Sequence, residues 1–270
     1  MKTYSKSAIL AAACLLVLAG CSPKEQTELV HSVFEPHEII DLGALVTEDL
    51  PERVFGKALL AALGNTRPNS FEVINFELEK ETGTVSGSNA YYTLFNHGGP
   101  HVDAPNHLEL GRGVDSYPIE AFMGPLKVFD VRRFPKGRSV PPEVFEGSVG
   151  SGEVVLIFTG YTPPPTDEAF PETIALTREA AEYLAEIPVR AFGTDAFSVG
   201  NLDAGPIEAK TGTARALPIH HSFLSRGIPI YEQLFNADQL LGKEKLYFVG
   251  VPLNIRDGDG MIVRPVVFVY

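Results

Sequence analysis

The segment His97-Gly98-Gly99-Pro100-His101-Val102-Asp103-Ala104-Pro105-Asn106-His107 constrains this 270-residue chain more than any other part of it. Five of the seven histidines lie either here or at His220-His221, and Glu232 follows His220 by twelve residues. Two glycines and a proline in succession cannot sit inside a helix, so His97 and His101 are not the one-face pair of a helical zinc motif. They must meet across a tight turn. Val102 and the pre-proline Ala104 favour extended backbone, in which side chains alternate, so His101 and Asp103 are expected on the same face. Imidazoles and a carboxylate this dense, in a loop, predict a divalent-metal site. His107 lies too far along for alternation to place it, and is either a fourth ligand or a base.

The chemistry of such a site follows from its donors. A divalent ion lowers the pKa of a bound water from about 16 to about 7 and polarises the carbonyl under attack. Hydrolysis at such a site also requires a proton for the leaving group, and an imidazole that is not a ligand, with an unperturbed pKa near 6.5, suits that exchange. Asp103 has two oxygens and can bridge, so one or two ions fit. Mixed nitrogen and oxygen donors without thiolate favour Zn2+, with Mn2+ second.

The stretch from His97 to His107 resembles the His-x-Gly-Thr-His-x-Asp-x-Pro-x-His signature of the cyclase family. These are metal-dependent amidohydrolases of the bacterial kynurenine formamidase and isatin hydrolase kind. Pro100 stands where the signature has threonine. The similarity continues through Glu153 to Gly160, Leu176 to Ala181, Gly193 to Ser198 and His220 to Glu232, and so covers most of the chain after about residue 38. The resemblance implies that His97, His101, Asp103, His220 and Glu232 bind metal and that His107 is the general acid/base. His221 is second choice to His220, because the family spacing to the glutamate fits residue 220. It further implies a swivelling β/β/α domain, a homodimer with each active site near the partner chain, and cleavage of a carbon-nitrogen bond in a small N-formyl or cyclic amide. Family pockets tend to use tryptophan, and this chain has none. Phe55 and Tyr161 are therefore the candidates to line the substrate pocket, and the expected substrate is a small amide, lactam or lactone. The alternative is a lipid-anchored metal- or ligand-binding protein of the same fold without turnover, which Pro100 would favour if it displaced His101.

Lys2 and Lys6 precede an apolar run from Ala8 to Leu18 that is too short to span a bilayer and is closed by Leu18-Ala19-Gly20-Cys21. Residues 1–20 are therefore expected to be a signal peptide, Cys21 a lipid anchor as in a bacterial lipobox, residues 21–37 a tether, and residues 38–270 the hydrolase domain. The expected location is the bacterial cell envelope. Removing residues 1–20 leaves 20 basic against 34 acidic residues, a charge of −14, which is a poor match for nucleic acid. Cys14 and Cys21 are the two cysteines, so the domain can have no internal disulfide and must rely on its core and the metal.

Short apolar runs bounded by Gly and Pro predict strands at 38–42, 71–78, 126–131, 154–158 and 189–193. Thr177 can cap a helix running to about Ile187, with Ala181, Leu184 and Ala185 on one face. The fold class expected is α/β, a mixed, barrel-like sheet with few helices. Residues 246–255 and 261–270 read as a closing hairpin, and Asp257-Gly-Asp-Gly260 as its turn; the glutamate of a calcium loop is missing there. The Gly/Ser stretch 147–152 reads as a loop before a strand. Asp195 and Ser198 are either site residues or a structural turn.

Overall fold

The structure is a computed structural model that describes residues 36–163, 172–200 and 217–270. The predicted signal peptide, Cys21 and nearly all of the tether lie outside the described residues. In chain order the elements are β1 (Glu38–Asp41), α1 (Leu50–Phe55), α2 (Lys57–Ala62), β2 (Ser70–Lys80), β3 (Gly83–Thr93), β4 (His101–Asp103), β5 (Met123–Asp130), β6 (Ser139–Val140), β7 (Val154–Phe158), β8 (Ala175–Leu176), α3 (Arg178–Glu186), β9 (Ala191–Thr194), α4 (Pro218–Leu224), β10 (Ile230–Glu232), β11 (Leu246–Val249), β12 (Gly260–Ile262) and β13 (Val266–Val269). Nine strands form one curled sheet in the order β1-β13-β11-β5-β7-β9-β10-β4-β12. The four consecutive strands β5, β7, β9 and β10 are parallel, and the flanking pairs are antiparallel. This is the mixed α/β sheet with few helices that the sequence predicts.

All five residues of β7 are buried, as expected of a parallel strand covered on both faces. Val155 and Ile157 join a core built with α3, α4 and Phe192, whereas Val154, Leu156 and Phe158 face a second core with Leu126, Phe248 and Val267. β7, α3 and β9 form a strand-helix-strand unit from the strands and helix that the sequence predicts. Thr177 caps α3, its hydroxyl accepting from the Ala180 N–H at 3.1 Å, and Ala180, Ala181, Leu184 and Ala185 are buried on one face. Opposite them on α4, Phe223 stacks on Phe192 with ring centroids 4.8 Å apart. Among the described residues no helix is long and apolar enough to cross a membrane.

One expectation fails at the carboxyl end. β11 and β13 do pair antiparallel, but Asp257-Gly-Asp-Gly260 is not a hairpin turn between them. Strand 246–255 stops at Val249, before Pro252, and 261–270 is split ahead of Pro265, because proline cannot donate to a ladder. The freed segment β12 crosses to pair with β4 at the far edge of the sheet.

Candidate metal centre

β4 sits between β10 and β12, and its register builds the site. Glu232 pairs with His101 and Gly260 with Asp103, so alternation puts His101, Asp103 and Glu232 on one face and sends Val102 and Tyr231 into the core on the other. The turn before β4 brings His97 and His101 together as expected, ring centroids 4.8 Å apart, and folds His97 back over Asp103. It can do so because Gly260 has no side chain: a Cβ there would lie 2.5 Å from His97 Cε1. Pro100 leaves His101 in place. Its carbonyl accepts from the Val263 N–H at 2.9 Å, and His101 Nε2 lies 3.2 Å from Asp103 Oδ1. His220 comes from α4, where Pro218 starts the helix; its ring is buried toward β10, and His221 points to solvent.

The donor atoms converge. His97 Nδ1 is 3.0 Å from Asp103 Oδ1, and His101 Nε2 is 3.6 Å from Glu232 Oε2. His220 Nε2 is 3.2 Å from Glu232 Oε1 and 3.7 Å from Asp103 Oδ2. Yet His97 Nδ1, Asp103 Oδ1 and Asp103 Oδ2 are buried without a hydrogen-bond partner among the described residues. Buried polar atoms are rarely left so, unless something else satisfies them. Ligands bonded at about 2.0–2.2 Å to one ion stand about 3.0–3.6 Å apart along the edges of a tetrahedron or octahedron, and that is the spacing found here. His101 Nδ1 lies 2.8 Å from the Gly99 carbonyl and Glu232 Oε1 accepts from the Val199 N–H at 2.7 Å, so each group is held from behind. Overlapping His/Asp triplets, each with donor atoms within 4.8 Å of one another, can hold a metal ion: His97, His101 and Asp103 form one, and Asp103, His107 and His220 another.

His107, on a 3₁₀ turn after β4, closes the cluster, its ring centroid 4.5 Å from that of His97 and 5.5 Å from that of His220. Burial and the neighbouring His97 and His220 rings push its pKa down to about 4, against the opposing pull of Asp103 and Glu232. Burial works against charge on Asp103 too, but the surrounding histidines hold its carboxyl well below the usual range. For His97 burial is outweighed by the carboxylates of Asp103 and Asp259, and its pKa is pushed up to about 10. Asp259 is the contact that sequence reasoning missed: its Oδ2 lies 3.0 Å from His97 Nε2. It stands inside the segment taken for a hairpin turn, and only the long-range β4–β12 pairing reveals it.

The two aromatic candidates belong to one run of ring contacts that ends on His97, Tyr161 meeting Phe197 and Phe197 meeting Phe55. Phe55 is buried beside Phe95, ring centroids 6.0 Å apart, and Phe95 is in turn 6.0 Å from His97. Tyr161 donates its hydroxyl to the Val54 carbonyl at 2.8 Å and lines a cavity of about 460 Å³ with Val54, Phe158, Gln233 and Phe235. Asp195 anchors the loop after β7, accepting from the Thr159 N–H and hydroxyl at 2.7 and 2.8 Å and from the Tyr161 N–H at 3.0 Å, and it also lines the cavity beside Tyr161.

A curled α/β sheet that gathers imidazoles and carboxylates at ligand spacing defines a candidate metal centre of the hydrolase type. The chain belongs to the Cyclase family, whose model matches residues 32–201. It is 34% identical over 175 residues to the kynurenine formamidase of Salinibacter ruber, covering 64% of this chain and 76% of the relative. A Bacillus cereus kynurenine formamidase is 29% identical over 191 residues, covering 70% of this chain and 83% of the relative. The fold matches isatin hydrolase A from Labrenzia aggregata (TM-score 0.62, 24% identity, 86% of this chain and 93% of that one). It also matches an isatin hydrolase bound to the product analogue thioisatinate (TM-score 0.65, 18% identity, 92% and 99%).

Proposed function

We propose that this chain is a metal-dependent hydrolase that cleaves the carbon-nitrogen bond of a small N-formyl or cyclic amide, with lactones as a neighbouring class. One observation carries this reading: three imidazoles and two carboxylates from three separate stretches of chain meet at ligand spacing, and among the described residues the buried oxygens of Asp103 face only these imidazoles, with no other side chain or backbone donor to satisfy them. The activity named for the formamidase relatives supports the amide class.

His97 through Nδ1, His101 and His220 through Nε2, Asp103 and Glu232 would hold Zn2+, or Mn2+ as second choice. Asp103 turns Oδ1 toward His97 and His101 and Oδ2 toward His220, an arrangement that supports a pair of ions. When bound, the metal supplies Lewis acidity toward the carbonyl and lowers the pKa of water. His107 moves the proton. With its pKa near 4 it is neutral at pH 7, so it starts as the acceptor for the proton of the attacking water, and it returns that proton to the leaving nitrogen as negative charge builds beside it. Phe55 and Tyr161, with Phe95 between Phe55 and His97, supply an apolar wall for the substrate.

The test is hydrolysis of formanilides and cyclic amides by pure protein reconstituted with Zn2+ or Mn2+. His107→Ala should lose about 10²- to 10⁴-fold in turnover with ion affinity retained. Stoichiometric ion with no turnover on any substrate would instead make the chain a binding protein.

Two further expectations belong to this reading. The apolar stripe of the β2–β3 ribbon, with Leu78 opposite Val85 and Ile74 and Phe76 on the same face, supports a homodimer. Leu18-Ala19-Gly20-Cys21 supports lipidation at Cys21 and attachment to the bacterial envelope; Cys21→Ser should move the protein from the membrane fraction to the soluble one.

A further inference from the structure

Asp259 is separated from His97 by 162 residues, yet its Oδ2 lies 3.0 Å from His97 Nε2 in hydrogen-bond alignment, and its Oδ1 accepts from Asn96 Nδ2 at 2.7 Å. The backbone around it is pinned to the same strand that carries the candidate ligands. The Asp259 carbonyl accepts from the Ala104 N–H at 2.9 Å, the Gly258 carbonyl from the Val114 N–H at 2.8 Å, and Gly260 pairs with Asp103. A neutral imidazole carries one proton on one of its two nitrogens, and an ionised carboxylate can only accept. A carboxylate at Nε2 therefore keeps the proton there and leaves the lone pair on Nδ1, the buried atom that lacks a hydrogen-bond partner among the described residues and faces Asp103.

We propose that Asp259 is a positioning residue: it selects the Nε2–H tautomer of His97 and fixes the ring so that Nδ1 faces the ion, with Asn96 orienting the carboxylate. The inference rests on the metal-centre reading above and deepens it. Asp259, His97 and His107 also lie close enough to hold an ion of their own. That arrangement would require the His97 ring to give up both protons, one to each ion, and it is disfavoured for that reason.

The experiment compares wild type, Asp259→Asn and Asp259→Glu, each stripped with chelator and titrated with Zn2+ in competition with a chromophoric chelator. Histidine ¹⁵N spectra of the zinc-loaded proteins then read the His97 tautomer. Asp259→Asn should bind the same number of ions 10- to 100-fold more weakly and lose the single Nε2–H signature. Asp259→Glu should recover part of both, and the chelated variants should melt as cooperatively as wild type. Unchanged affinity and an unchanged tautomer in Asp259→Asn overturn this inference alone, and loss of one ion from the stoichiometry makes Asp259 a ligand instead. A wild type that takes up no ion overturns the underlying reading as well.

Discussion

His97 is where charge, geometry and pH meet. In the metal-free folded chain its proton is held to about pH 10, against an ordinary value of 6.5. A raised pKa contributes stability that is complete below about 6.5 and is lost as pH climbs toward 10, so thermal melts in chelator should fall across that window. Ion binding at Nδ1 runs the other way, because the ion must displace the same proton: apparent affinity should rise about tenfold per pH unit between about 7 and 9. Chelator competition at several pH values checks this, and a flat profile would remove His97 from the ligand set. Most of this centre was legible in the residues, because glycines and proline exclude a helix at 97–101 and alternation then places His101 beside Asp103. Two features were not. Asp259 sits in a loop whose partner strand is more than 150 positions away, and the low pKa of His107 comes from burial that no local pattern reveals.

At the scale of elements, β4 carries the argument. Three residues long, it is hydrogen-bonded to β10 on one side and β12 on the other, so its register alone puts Glu232 beside His101 and a glycine beneath His97. Gly260→Ala would set a methyl group 2.5 Å from His97 Cε1 and 2.9 Å from the Val102 carbonyl oxygen. We expect it to cost about 1–3 kcal/mol and to weaken ion affinity, read by denaturant melts and by the same titration. Thr177→Ala should behave differently, costing about 1 kcal/mol through loss of the α3 cap with turnover unchanged, since α3 covers the core and carries none of the candidate ligands. The strands and α3 could be read from period and punctuation because their cues are local. The closing hairpin could not: β11 and β13 are partners, but the chain between them makes an excursion to the opposite edge of the sheet, and topology of that kind leaves no mark on a ten-residue window.

For the whole molecule, the β2–β3 ribbon stands apart from the sheet with nearly every side chain exposed, Val73 and Leu78 at 62% and 52% and Tyr91 at 67%. An isolated two-stranded ribbon is marginal in water and gains most by burying its apolar face. Eleven residues per strand give a face about 37 Å long and about 10 Å wide; in the proposed homodimer two such arms, each covered by the second copy, would bury about 1,500 Å² in total, the size of a stable interface. Leu78→Glu with Val85→Glu should shift sedimentation from dimer to monomer, and an unchanged sedimentation coefficient would assign the ribbon another role. The central claim remains the convergence of distant segments on one centre, and anomalous diffraction from crystals grown with Zn2+ tests it most directly. The account predicts a peak within about 2.0–2.2 Å of His97 Nδ1, His101 Nε2 and Asp103, with or without a second at His220 and Glu232. Ordered crystals with no peak among these residues, at full zinc occupancy elsewhere, would contradict it.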